Sequence, residues 1–185
     1  MIQNVLAATL ATFLWGYKIE DIRMSLETFI PSAAQTPGRM NTFKFKEFKI
    51  MVDFAHNPDG YNGIKSYLKT IEATEHIGVI SATGDRRDSD IRETAKIAAQ
   101  MFDKIIICQE KYLRGRNQQE LIDLQIESIR QVKPNMDIII NNSGDDCLKY
   151  IIATARSGSF ITILSDTIDG AITKVSDYVD KEFGM

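Results

Sequence analysis

Ile50-Met51-Val52-Asp53-Phe54-Ala55-His56-Asn57-Pro58-Asp59 is the stretch that decides the fold. Four apolar residues in five read as a buried strand, Ile50–Phe54. Asn57 can then cap a helix and Pro58 can occupy its first position, so a helix over Asp59–Ala73 is predicted directly behind the strand. Upstream, Thr42–Phe45 and Phe48–Phe54 are separated only by Lys46 and Glu47, which predicts a short hairpin leading into that strand. Downstream the unit repeats. Strands are expected at His76–Ala82, Lys104–Gln109, Asp137–Asn141 and Ser159–Ser165. Helices are expected at Ser89–Met101, Gln118–Gln131, Asp145–Ala155 and Gly170–Lys181. Runs such as Ile105-Ile106-Ile107 and Ile138-Ile139-Ile140 suit strands buried on both faces. The fold class that follows is α/β: a Rossmann-like, mostly parallel sheet with helices on both faces, preceded by a short helical segment.

That segment occupies residues 1–35. Gln3–Leu14 is read as a helix stopped by Gly16, and Ile19–Phe29 as a second one stopped by Pro31. Ser32–Gly38 is a small-residue linker, and the main domain is expected from 36 to 185. Val5–Gly16 is apolar, but no Lys or Arg precedes it and it is too short to span a bilayer, so it reads as a buried helix and not as a signal peptide. The 185 residues carry 22 basic and 25 acidic side chains, a net charge of −3. From Asp137 onward eight acids face four bases, leaving local basic clusters at Arg39–Lys49 and Lys111–Arg116 in an otherwise near-neutral chain. This disfavours a nucleic-acid binder and suits a small anionic ligand; no membrane partner is expected. The two cysteines, Cys108 and Cys147, have no metal-ligand spacing and read as reduced, inert core thiols, which fits a cytoplasmic protein.

In an open parallel sheet, ligands sit beyond the carboxyl ends of the strands, so the loops there are the candidates for chemistry. In the first, Asp53 can accept from ribose hydroxyls, and His56 beside a helix N-terminus can donate to phosphate. The same residues would also serve as an ordinary helix start with a hydrogen-bonded turn histidine. The second loop, Thr83-Gly84-Asp85-Arg86-Arg87-Asp88-Ser89-Asp90, mixes guanidinium and carboxylate, and is either a binding loop or a solvated turn whose Asp88 or Ser89 caps the next helix. The third, Glu110-Lys111-Tyr112-Leu113-Arg114-Gly115-Arg116, is a possible anion site or a solvated basic loop. His76 opens a strand and reads as structural. Neither G-x-x-x-x-G-K-[ST] nor G-x-G-x-x-G occurs, and no metal site is indicated.

Pro37-Gly38-Arg39-Met40, followed by Val52-Asp53-Phe54-Ala55-His56-Asn57-Pro58, resembles the C-terminal domain of the Mur ligase superfamily. Gly84-Asp85-Arg86-Arg87-Asp88 and Lys111-Tyr112-Leu113-Arg114-Gly115-Arg116 narrow the resemblance to the Mur-ligase-like part of cyanophycin synthetases. Asn4-Val5-Leu6-Ala7-Ala8 is similar to the end of the superfamily's adenine-contacting helix motif. Asn41 departs from the Glu that many of these enzymes carry after Pro-Gly-Arg-Met. The resemblance implies an ATP-dependent amide ligase working through an acyl phosphate, adding arginine to an aspartate side-chain carboxylate. It implies that residues 1–35 are the tail of the central ATPase domain, which would hold most of the ATP and Mg. By the same analogy Asn4 touches adenine, Arg39 and Asp53 the ribose and phosphate region, and His56 the γ-phosphate, with Asn57 in support. His56 and Asp53 would be the catalytic pair. Asp85, Arg86, Asp88, Arg114 and Arg116 are assigned from charge to the incoming amino acid, arginine, and the acidic peptide backbone. A folylpolyglutamate- or Mur-type ligase and a non-catalytic nucleotide-binding module are the alternatives. The chain by itself, lacking a P-loop, is expected to be inactive. Orphaned apolar faces around Leu14, Trp15 and Phe29 would favour a homo-oligomer.

Overall fold

The computed structural model describes residues 2–30, 32–108, 113–141, 143–165 and 168–184. Contacts divide the chain into two compact units, residues 1–35 and 36–185.

The first unit is a helical pair, α1 (Ile2–Leu14) and α2 (Ile19–Thr28). Gly16, at a φ of 98°, supplies the backbone conformation that ends α1. The expectation of a buried helix fails here. Leu14 and Trp15 are 75% and 86% exposed, and no described residue of α1 is buried. An apolar run specifies burial only when a partner surface is present, and within the pair only Ile22 of α2 is buried.

The second unit holds six strands and five helices among the described residues. In chain order they are β1 (Asn41–Lys44), β2 (Lys49–Asp53), α3 (Pro58–Leu68), β3 (His76–Ile80), α4 (Asp88–Met101), β4 (Lys104–Cys108), α5 (Gln118–Val132), β5 (Asp137–Asn141), α6 (Gly144–Thr154), β6 (Phe160–Leu164) and α7 (Ile168–Phe183). The sheet order is β1-β2-β6-β3-β4-β5, antiparallel only at the β1–β2 hairpin. Phe45 N–H donates to Phe48 O to close that hairpin, and the two rings stack at 4.7 Å.

Strand alternation builds a core on each face. Met51, Ile105, Ile107 and Leu164 pack with α3, α4 and α5 through Tyr61, Ile64, Ala98 and Ile129. Ile50, Val52, Ile106 and Ile163 pack with α6 and α7 through Leu148, Ile151 and Val175. The helix after β2 stops at Leu68, five residues short of the predicted end. Thr70 N–H and Ile71 N–H bond to the carbonyls of Tyr67 and Leu68, three residues back, so the α-helical ladder gives way to tighter turns. No helix among the described residues is long and apolar enough to cross a membrane.

Cys108 ends β4, Cys147 lies in α6, and both are buried in the same core cluster. The Cys147 thiol is pushed far up from its ordinary pKa by its hydrogen bond with Cys108 and by burial. Neither thiol should react with an alkylating reagent at neutral pH in the folded chain, whereas both should label once it is unfolded. Fast native labelling, read by intact mass, would refute this.

Candidate functional site

The helices following β2, β3 and β4 lie on one face of the sheet, and those following β5 and β6 on the other. β6 is wedged between β2 and β3, so the connections leaving its carboxyl end and those of its neighbours diverge to opposite faces. That divergence opens the ligand crevice of a doubly wound sheet, and the loops after β2 and β3 flank it. Asp166 and Thr167, in the loop after β6, lie outside the described residues.

The loop after β2 is built on Asp53, the strand's last residue. Its Oδ1 accepts from Ala55 N–H at 2.8 Å and its Oδ2 from Met40 N–H at 2.9 Å. Asp53 is 8% exposed, so it is part of the core edge and not a free loop residue as the sequence suggested. Burial pushes its carboxyl above the ordinary carboxylate value, against the pull of the two N–H groups and of Arg39. Met40 holds a φ of 53°, which its bond to Asp53 helps to sustain. Asn41 organises the preceding turn: its Oδ1 accepts from Gly38 N–H at 2.6 Å and its Nδ2 donates to Thr36 O at 3.1 Å. Asn41 thus has a structural role, and it is buried.

His56 Nδ1 lies 2.8 Å from Phe54 O. A carbonyl only accepts, so Nδ1 carries the proton and Nε2 is the ring's open nitrogen. The Phe54 ring meets His56 edge-on at 4.8 Å and takes the Arg39 guanidinium at 5.5 Å from its centroid. Arg39, Phe54 and His56 therefore form one half-exposed ledge, an arrangement that depends on Phe54, to which sequence reasoning assigned no role. Asn57 caps α3 by accepting from Gly60 N–H at 2.8 Å, with Pro58 in the first turn. This is the predicted helix start, and it leaves the positive end of the α3 dipole at the crevice.

Arg86 joins His56 in lining a small cleft with Thr83 and Thr94. Its guanidinium has no ion-pair partner among the described residues, whereas Arg87 is bound by Asp90 at 3.0 Å. The other assigned charges are taken up within the chain. Arg114 pairs with Asp85; Arg116 donates to Asp88 at 2.7 Å and also pairs with Glu120. Asp85 and Asp88, assigned from charge to a substrate guanidinium, thus each meet a guanidinium of this chain. The two loops also touch through backbone. A Cβ on Gly84 would lie 1.9 Å from the Leu113 carbonyl oxygen, so only glycine permits the approach. Gly84→Ala should force the loops apart and destabilise the chain by about 1–3 kcal/mol. An unchanged urea midpoint would show that the loops do not interlock.

Gln109, Glu110, Lys111 and Tyr112 of the third loop, and Asn142 after β5, lie outside the described residues. Asn4 lies exposed in the first turn of α1, in the other compact unit. No cluster of three or more His, Cys, Asp or Glu able to hold a metal occurs among the described residues.

Residues 38–166 match the family model of the Mur ligase, glutamate ligase domain. The chain belongs to the Mur ligase family. The matched region spans the whole crevice, from Gly38 beside Asp53 to the loop after β6. Within the Mur ligases, the chain is 46% identical over 172 residues to a cyanophycin synthetase of Synechocystis sp., covering 93% of this chain and 20% of that protein. A cyanophycin synthetase of Geminocystis herdmanii is 38% identical over 180 residues, covering 96% of this chain and 20% of that protein. The chain therefore spans about a fifth of the length of these relatives. Among solved structures, E. coli FolC in complex with DHPP and ADP superposes with a TM-score of 0.72 at 18% identity, covering 95% of this chain and 39% of that one. That likeness supports the Rossmann-like fold of this Mur ligase domain.

Proposed function

We propose that the chain is the C-terminal substrate- and nucleotide-binding domain of an ATP-dependent amide ligase of cyanophycin synthetase type. The reaction would join arginine to an aspartate side-chain carboxylate by way of an acyl phosphate. The observation that carries this reading is the 36–46% identity to cyanophycin synthetases over 93–96% of the chain. In this reading residues 1–35 are the helical tail of a central ATPase domain, whose body would cover the apolar surface of α1 and hold most of the ATP and Mg. The compartment would be the cytoplasm.

Donors suited to a phosphate converge at the crevice. His56 offers Nε2, Arg86 offers a guanidinium with no ion-pair partner among the described residues in the same cleft, and α3 points its N-terminal end there. ATP, when bound, supplies the phosphoryl group that activates the carboxylate. His56, once protonated, donates from Nε2 to the γ-phosphate, and Asn57 holds the loop that aims it. Arg39, set on Phe54, faces the ribose and phosphate region, and Asp53 acts there by fixing Met40 and Ala55. Donors placed on a developing phosphoryl charge are what such a transfer requires. Asn4 would reach adenine from the ATPase side. The interlocked loops bearing Asp85, Arg86, Asp88, Arg114 and Arg116 would receive the amino acid and the acidic backbone.

The test is ATP hydrolysis by the full-length protein. It should respond to L-arginine plus an aspartate-backbone primer and respond less to L-lysine, which lacks the planar fork. A response to glutamate with a folate acceptor would instead assign the chain to a folylpolyglutamate-type ligase. No response to any pair would assign it to non-catalytic nucleotide binding.

A further inference from the structure

The opposite edge of the sheet, where β3, β4 and β5 begin, carries a second cavity of about 370 Å³, within the usual span of small-ligand sites. Its charged lining consists of Glu75, Asp103, Lys104, Asp137 and Arg156, with the Tyr150 hydroxyl beside them. Lys104 is committed. Its Nζ donates to Tyr150 Oη at 3.1 Å, lies 3.3 Å from Asp137, and sits over the Tyr150 ring. Glu75 uses one oxygen to accept from Ser159 Oγ at 2.9 Å, and Asp103 uses one to accept from His76 N–H at 2.9 Å. The second oxygen of each, and the whole Arg156 guanidinium, have no partner among the described residues.

We propose that this cavity binds a free cationic α-amino acid. Two cations and three carboxylates leave the lining at a net −1, so a ligand of net charge +1 neutralises it. Arg156 is the unpaired donor for an α-carboxylate, which it can hold by both oxygens. The open oxygens of Glu75 and Asp103 accept from the α-ammonium and from the cationic side chain. A polyanion would meet three carboxylates, and a polyamine would leave Arg156 uncompensated. Each is disfavoured by the same charges that fit an amino acid. The site lies at the far end of the strands from the crevice and stands whether or not the ligase reading holds.

Titration of this chain with L-arginine, followed by backbone amide NMR, tests the assignment. Saturable shifts are expected at Glu75, Asp103 and Arg156. Agmatine, which lacks the carboxylate, and citrulline, which lacks the side-chain charge, should each bind at least about tenfold more weakly. Arg156→Gln should weaken L-arginine binding by a similar factor at an unchanged melting temperature, because Arg156 is exposed and unpaired. Glu93→Gln, at an exposed position of α4, should leave it unaltered. Three results would each overturn the proposal: shifts confined to residues 83–90, equal affinity for arginine and citrulline, or full binding by Arg156→Gln.

Discussion

Replacing His56 by alanine in the full-length protein should lower the rate of amide synthesis about 100-fold or more, the usual loss when one positioned donor to a developing charge is removed. Stability should change little, because the ring is only partly buried and its described hydrogen bond is to a carbonyl two residues away. His56→Asn separates the two roles of the ring. Its amide N–H₂ can still reach the Phe54 carbonyl, so the loop is kept, but nothing replaces Nε2. It should be as slow as the alanine variant. If His56→Asn or His56→Ala makes amide bonds at a near-normal rate, His56 does not touch the reacting phosphate.

Asp53→Ala should act on the fold as strongly as on the reaction. Removing the carboxylate strands the part-buried N–H groups of Met40 and Ala55, at about 1–3 kcal/mol each. It also frees Met40 from the bond that helps to hold its positive φ. A loss of about 3 kcal/mol or more in urea unfolding is expected. Asp53→Asn should recover only part of this, since its amide nitrogen would face one of the two N–H donors. The pH dependence has a defined sign. The folded-state pKa is raised above the ordinary 3.8, so the folded chain retains a proton that the unfolded chain has released. Asp53's contribution to stability is then fully present below the ordinary value and falls as pH rises through the raised one. Wild type should therefore lose stability relative to Asp53→Asn as pH rises from about 4 toward neutrality. A stability gap between the two that stays flat or moves the other way would remove the buried-carboxyl account.

The strands and the start of α3 were legible because their signals are local; the start of α4 was misread, since Arg87 and not Asp88 or Ser89 holds its N-cap position, with no side-chain cap bond. Asn57-Pro58 carries its own capping chemistry, and Ile105-Ile106-Ile107 has no stable place except between two layers of helices. Asp53 was legible as important but misplaced in role. Its two hydrogen bonds reach Ala55, two residues on, and Met40, thirteen residues back, and only the second makes it a structural hub. The ion pairs from Asp85 to Arg114 and from Asp88 to Arg116 span 29 and 28 residues, so charge counting read as open sites what the fold closes internally.

By itself the sequence determined the alternation of strand and helix, the loops that follow the strands, and the motif Asp53-Phe54-Ala55-His56-Asn57-Pro58 in the stretch that matches the Mur ligase domain. These depend on periodicity, capping and short-range chemistry, which a chain carries in any conformation. Only the tertiary structure decided that β6 inserts between β2 and β3, that Phe54 joins Arg39 to His56, and that Gly84 lies against Leu113. Each of these is a contact between segments whose separation along the chain carries no local signal. Whether a charge is paired or left for a ligand depends on which partner the packing brings within reach. That is why Arg86 and Arg116, thirty residues apart in a chain of net charge −3, end with opposite roles: Arg116 is bound by Asp88 and Glu120, and Arg86, beside His56, has no ion-pair partner among the described residues.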